Sequence, residues 1–148
     1  GLAESESSST GALLQLVSGG CDKLVKVWTR DPGAREWSGA RIGDEHADWV
    51  RDVAWAPGLG LSAGGLVASC SQAGELYVWQ RESDSAMSSA AWTRKQLARF
   101  DGVPVWRVSW SVAGNILAVS SADNKVTLWK EGLDGNWERV SEMNDPSS

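Results

Sequence analysis

The sequence predicts an all-β chain of about three β-propeller blades. Three observations carry that prediction. A short stretch occurs three times, as DKLVKVWT (22–29), AGELYVWQ (73–80) and DNKVTLWK (123–130). Each copy is a turn, then an alternating apolar run, then a Trp, so that Trp28, Trp79 and Trp129 recur at intervals of 51 and 50 residues. A second pattern, V-x-x-V-x-W, appears as Val50, Val53 and Trp55 and again as Val105, Val108 and Trp110. Between the two patterns lie short apolar runs, LVASCS (66–71) and ILAVSS (116–121). A fixed period of this size, built from short strands, marks radially repeated four-stranded blades.

Taken in order, residues 1–12 are rich in Ser and Glu and are expected to be loop or disordered, since they bury too little apolar surface to order themselves. Residues 13–42 form a partial blade. The run ALLQLVS (12–18) is a strand, Gly19-Gly20 a tight turn, 24–28 the next strand, Asp31-Pro32-Gly33 a turn and 37–42 an outer strand. The first strand of this blade is expected to precede Gly1, which reads the chain as a piece of a longer protein.

Residues 43–100 form a complete blade. WVRDVAW (49–55) is its first strand, stopped by Ala56-Pro57-Gly58, and 58–65 is a Gly-rich loop. LVASCS is a near-continuous apolar strand, as expected inside a packed sheet, and 75–79 is the return strand. Residues 82–90 are a Ser- and Ala-rich surface loop. WTRKQLARF (92–100) has helical propensity, but its place in the repeat makes it an outer strand. The last blade spans 101–141, with strands at 106–110, 116–121, 125–129 and 137–140 and an Asp-Gly hairpin turn at 134–135. Residues 142–148 are expected to be a flexible tail.

The chain has 148 residues, a net charge of −5 and a pI near 4.8, which argues against a basic nucleic-acid-binding surface. It has no apolar run long enough to span a bilayer. Cys21 and Cys70 have no metal-ligand spacing and read as free thiols. The sequence holds ten Trp, and most recur in register with the blades, so they read as repeat core and not as a ligand platform. His46 is the only histidine. A catalytic role would need a nucleophile and an orienting acid, and no spacing supplies them. Gly19-Gly20 and Gly64-Gly65 lack the helix and Lys-Ser/Thr of a phosphate loop. No catalytic, cofactor-binding or metal-ligating residue is assigned.

The blade pattern resembles the WD-repeat family. The resemblance rests on V-x-x-V-x-W, on the Trp that closes the third strand and on the Asp six residues before it, present as Asp22 and Asp123. It implies a hydrogen-bonded network in each blade: a turn Asp, a His before the blade, a second-strand hydroxyl and the Trp. The first blade has Ser18, Asp22 and Trp28. The middle blade has His46, Ser69 and Trp79, with Ala73 at the Asp position. The last has Asp123 and Trp129, with Val119 at the hydroxyl position and no preceding His.

HADWVRDVAWAP (46–57), LVASCSQAG (66–74), NILAVSSADNKVTLWK (115–130), GGCDKLVKVW (19–28) and DGNWERVS (134–141) are similar to the scaffold branch of this family, which serves the COPII vesicle coat and the outer ring of the nuclear pore. That likeness implies the C-terminal blades of a six-bladed open propeller acting as a structural scaffold and not as an enzyme. It implies no cofactor and no small-molecule substrate. Its implied partner is a large helical-rod coat subunit or a nucleoporin that inserts strands as a seventh blade. The implied locations are the cytoplasmic face of the endoplasmic reticulum membrane, COPII vesicles and the nuclear pore. The last blade would border the insertion, with Val105, Ile116, Val126 and Leu128 as candidates for the contact face. Two alternatives stay open: an adaptor that binds peptides on a propeller face, with Arg51, Trp106 and Arg107 at the mouth, and a kelch-type or enzymatic propeller, which Gly19-Gly20 with Trp37 fits in one copy only.

Overall fold

The structure is a computed structural model, and it describes residues 2–5, 14–57, 65–81 and 92–144. All regular structure among them is strand. Twelve strands form three antiparallel four-stranded sheets. The first sheet has the order β1 (Leu2–Ser5), β2 (Leu14–Gly19), β3 (Val25–Arg30), β4 (Ser38–Arg41). The middle sheet runs β5 (Val50–Trp55), β6 (Leu66–Ser71), β7 (Glu75–Arg81), β8 (Trp92–Arg99). The last sheet runs β9 (Val105–Trp110), β10 (Ile116–Ser121), β11 (Lys125–Glu131), β12 (Trp137–Asn144).

The three recurring turns share one backbone solution. Lys23 N–H bonds Gly20 C=O, Gly74 N–H bonds Ser71 C=O and Asn124 N–H bonds Ser121 C=O, each at 3.1 Å. Lys23, Gly74 and Asn124 take φ of 68°, 85° and 63°. Asn tolerates this left-handed conformation, Lys adopts it at a cost, and Gly is free in it. Gly74 is also fixed by space, since a Cβ there would lie 2.1 Å from the Phe100 carbonyl oxygen.

Each sheet packs its face against the next, and two apolar cores result. One lies between the first and middle sheets and includes Val17, Val25, Val27, Val53, Val67 and Trp79. The other lies between the middle and last sheets and includes Ala68, Leu76, Val78, Val108, Leu117 and Trp129. The middle sheet is thus covered on both faces, and every residue of β6 is buried. This explains why its sequence is apolar without alternation, while β10 alternates between buried and half-buried positions. The sheets approach closely at Gly19, where a Cβ would lie 2.3 Å from Val50 Cγ1.

Two expectations need correction. Residues 1–12 were expected to be loop, with the first strand of that blade lying before Gly1. Leu2–Ser5 instead pairs with β2, Leu2 opposite Ser18 and Ser5 opposite Gln15. It takes the position beside the second strand that β5 and β9 take in the other sheets. The ladder uses backbone groups only, so polar composition did not reveal it. The tail was expected to begin at 142, yet β12 continues through Glu142, Met143 and Asn144 opposite Thr127, Val126 and Lys125. Glu142 is held by Lys125 at 3.3 Å and Arg139 at 2.9 Å. The segment 92–99 is strand, as the repeat required against its helical propensity. The loops expected at 58–64 and 82–90, and residues 145–148, lie outside the described residues.

Candidate functional site

The middle blade builds a continuous buried hydrogen-bond network. Trp79 Nε1–H donates to Ser69 Oγ at 2.8 Å. Ser69 Oγ is 2.8 Å from His46 Nε2, and His46 Nδ1 is 3.1 Å from Glu75 Oε2. Only one assignment of protons satisfies every group. The indole donates to the hydroxyl, the hydroxyl donates to Nε2, and Nδ1–H donates to the carboxylate. His46 is therefore the neutral Nδ1–H tautomer. Burial lowers its pKa from the ordinary value, and the Glu75 carboxylate only partly opposes this.

Glu75 is the residue that the sequence reading missed. Ala73 occupies the turn position where an acid was expected, and Glu75, two residues on, supplies the carboxylate from inside the sheet. Its Oε2 accepts from Ala47 N–H at 2.9 Å and Ser71 O–H at 3.2 Å as well as from His46, and its Oε1 accepts from Tyr77 O–H at 2.9 Å. Burial alone would raise the Glu75 carboxyl. The bonds from Ala47, Tyr77 and His46 outweigh it and hold the group below the usual glutamate range. The available signal was a lone Glu at the start of an otherwise apolar strand, where the other copies have Leu24 and Lys125. The Tyr77 ring lies 4.6 Å from His46, tilted by 46°, and Arg94 lies 4.4 Å from the Tyr77 ring and caps it.

The other blades carry shorter versions. In the first, Trp28 Nε1–H donates to Ser18 Oγ at 2.8 Å, as expected. Asp22 stays apart from that pair. It accepts from Leu24 N–H at 3.1 Å and pairs with Lys26 at 3.3 Å at the surface. In the last, Val119 removes the second-strand hydroxyl and Trp129 turns to Thr127, two residues before it, at 3.0 Å. Asp123 accepts from Ser121 O–H at 2.5 Å and does not reach Trp129. Where a His would precede this blade, Phe100 makes the corresponding backbone bond. Phe100 N–H donates to Gly74 C=O at 2.8 Å, as His46 N–H donates to Lys23 C=O at 2.8 Å. Among the described residues, the network is complete only in the middle blade.

The inner strands are tied across the sheets. Asp52 Oδ2 accepts from Val108 N–H at 3.1 Å, and Trp110 Nε1–H donates to Ala54 C=O at 3.1 Å. Asp52 thus ties β9 of the last sheet to β5 of the middle sheet. Cys70 is buried, with its thiol pushed up to about 12 by burial, and Cys21 is exposed; both are free. A thiol raised this far is a poor nucleophile. Among the described residues, no three His, Cys, Asp or Glu side chains gather where they could hold a metal ion.

Of the four candidates for a partner face, Val105 is corrected. It is 0% exposed and sits in the core between the middle and last sheets. A bulge between Ser120 and Ser121 pairs it with Ser121 and turns it inward. Ile116, Val126 and Leu128 lie on the opposite face of the last sheet. Leu128 pairs with Ala118 and Val126 with Ser120, while Leu117 pairs with Trp129 and Val119 with Thr127 on the covered side. Among the described residues, no sheet covers the face formed by Ile116, Ala118, Ser120, Val126 and Leu128, and all five are half-buried.

Three stacked four-stranded sheets, each with a Trp closing its third strand on a hydroxyl, define a WD-repeat β-propeller chain. The family described as "WD domain, G-beta repeat" matches residues 94–130. The particular resemblance is to SEC13. The chain is 49% identical over 130 residues to "Protein SEC13 homolog" of Homo sapiens, covering 88% of this chain and 38% of the relative. It is 46% identical to the homolog of Dictyostelium discoideum, covering 87% and 40%. It is 43% identical to "Protein transport protein sec13" of Aspergillus fumigatus, covering 95% and 44%. The chain carries a WD repeat, is similar in sequence to these SEC13 proteins and spans about two fifths of their length.

Proposed function

We propose that this chain is part of a structural scaffold for protein transport, a subunit of the COPII vesicle coat and of the nuclear pore outer ring. On this reading it catalyses no reaction. It holds partners by accepting strands that a large helical-rod coat subunit or a nucleoporin contributes as an added blade. It works at the cytoplasmic face of the endoplasmic reticulum membrane, on COPII vesicles and at the nuclear pore, reaching membranes only through the coat.

The observation that carries this reading is the open face of the last sheet. Ile116, Ala118, Val126 and Leu128 repeat the positions of Leu66, Ala68, Leu76 and Val78, which the middle sheet buries under its neighbour. A face of that composition is built to be covered by another blade. Affinity capture with the full-length protein tests it. Recovery of a helical-rod coat subunit or nucleoporin, reduced by Leu128→Glu, is expected. Recovery of neither defeats the proposal.

A second reading, the peptide-binding adaptor, draws on Trp49 and Trp106, which are 49% and 50% exposed on or beside the inner strands, with Arg51 and Arg107 nearby in sequence. It predicts that Trp106→Ala and Arg51→Ala remove a bound peptide while leaving capture of the coat partner intact.

A further inference from the structure

We propose that Lys95 is a reversible clasp between the middle and last sheets, and that acylation of its side-chain amine releases the outer rim of the last sheet.

The middle sheet is tied to both of its neighbours by cations. Toward the first sheet it uses guanidinium groups. Arg81 Nη2 donates to Gln15 Oε1 of β2 at 3.1 Å, and Arg94 Nη1 donates to the Asp44 C=O, just after β4, at 3.4 Å. Toward the last sheet it uses an ammonium. Lys95 Nζ donates to the Gly135 C=O, in the turn between β11 and β12, at 2.7 Å. Strand alternation explains the division. In β8, Arg94 pairs with Trp79 and shares the face that meets the first sheet, while Lys95 pairs with Val78 and shares the face that meets the last.

The two kinds of cation are not equivalent. A guanidinium stays charged, whereas an ammonium loses its charge when its amine is acylated. The clasp on the last sheet is therefore the one that chemistry can switch. It is also within reach. The bonds from Asp52 to Val108 and from Trp110 to Ala54 cross the same seam on the inner strands and are partly buried, while the Lys95 bond lies exposed on the outer strand. Among the described lysines, Lys26 and Lys125 pair within their own sheets, and Lys95 bonds a different one.

The turn that receives Lys95 favours a cation. A Cβ placed on Gly135 would lie 3.8 Å from Lys95 Nζ and 3.9 Å from Glu131 Oε1, so ammonium and carboxylate converge on one residue. Asp134 beside it is held below the usual aspartate range by bonds from Asn136 and, to a lesser degree, by the charge of Lys95. A charge-assisted bond of this kind is roughly twice as strong as a neutral one.

A thioester acyl donor supplies the reaction. The amine, having given its extra proton to solvent, attacks the thioester carbonyl. The N–C bond forms, the C–S bond breaks, and the thiol leaves with a proton from the amine. The product amide is neutral, so it loses the attraction of Glu131 and Asp134. Hydrolysis of that amide restores the amine and releases the carboxylic acid. The turn at 132–136 opens more often in the acylated chain, while the inner bonds and the apolar core keep the two sheets stacked. The clasp is independent of which partner the last sheet meets.

Amide hydrogen exchange, read by mass spectrometry on the 148-residue chain carrying Nε-acetyl-lysine at position 95, tests this. Acetylation and Lys95→Gln are each expected to speed exchange across 132–136 by about 2–5-fold, the scale of an exposed charged contact. Lys95→Arg keeps the charge and is expected to match wild type, and exchange in β6 is expected to stay the same in all. An acetylated chain that exchanges like wild type across 132–136 overturns the proposal. So does a Lys95→Arg chain that exchanges as fast as the acetylated one. Acetyl coenzyme A is expected to acetylate Lys95 in the folded wild-type chain; Lys95 left unmodified where the exposed Lys130 is fully acetylated would overturn it as well.

Discussion

Glu75→Ala is the most informative single change, because one carboxylate anchors four donors. Truncation leaves His46 Nδ1–H, Ser71 O–H, Tyr77 O–H and Ala47 N–H without the acceptor they share. Each unsatisfied buried group costs about 1–3 kcal/mol. The four are not independent, and Ala47 is partly solvated, so the full sum is not reached. The three buried side-chain donors, at that rate and with partial re-pairing, set an expected loss of about 3–5 kcal/mol. Urea unfolding of the chain, followed by Trp fluorescence under dilute conditions, measures it, with an unchanged m-value showing that the same surface unfolds. Asp22→Ala is the control: its carboxylate serves one exposed turn N–H and a surface Lys, and its loss is expected to stay under about 1 kcal/mol. If Glu75→Ala costs no more than Asp22→Ala, the network does not hold the middle blade and the proton assignment is wrong.

Acid should weaken the fold through the same groups. The folded-state pKa of His46 lies below 6.5, so its contribution is full above 6.5 and declines as pH falls through the folded value. Glu75 is also held below its ordinary 4.5, so its contribution is present above 4.5 and lost at still lower pH. Unfolding free energy measured from pH 8 to pH 4 should therefore fall, and His46→Gln should flatten the upper part of that fall; an unchanged slope would contradict a buried neutral His46. Thr127→Val keeps the shape but strands the Trp129 N–H, with an expected loss of about 1–3 kcal/mol by urea unfolding; no loss would mean that water satisfies the indole. Gly74→Ala forces both a left-handed φ of 85° and a clash with the Phe100 carbonyl, and a melting curve unchanged from wild type would refute the turn geometry.

Period and strand type were legible because they are written in side chains. The Trp spacing located all three sheets, and the repeat outweighed helical propensity at 92–99 because pairing with β7 decides the conformation there. What stayed hidden was whatever the backbone or a displaced side chain performs. β1 joins its sheet through main-chain bonds, which composition does not encode. Glu75 does the work of a turn acid from a neighbouring position, and Thr127 stands in for a hydroxyl expected at 119, because a long or rotated side chain reaches the same point in space from a different residue. Val105 misled for a related reason: the bulge at Ser120 and Ser121 shifts the register, so alternation counted along the strand gives the wrong face.

The stacking order of the three sheets decides which of their faces are covered. Hydroxyl-radical footprinting of the dilute chain, read residue by residue by mass spectrometry, tests this directly. Val126 and Leu128 should be labelled readily, while Leu76 and Val78, their counterparts in the middle sheet, should be protected. Labelling of Leu76 and Val78 as strong as that of Val126 and Leu128 would show that the last sheet does not cover the middle one, and the blade stack would be wrong.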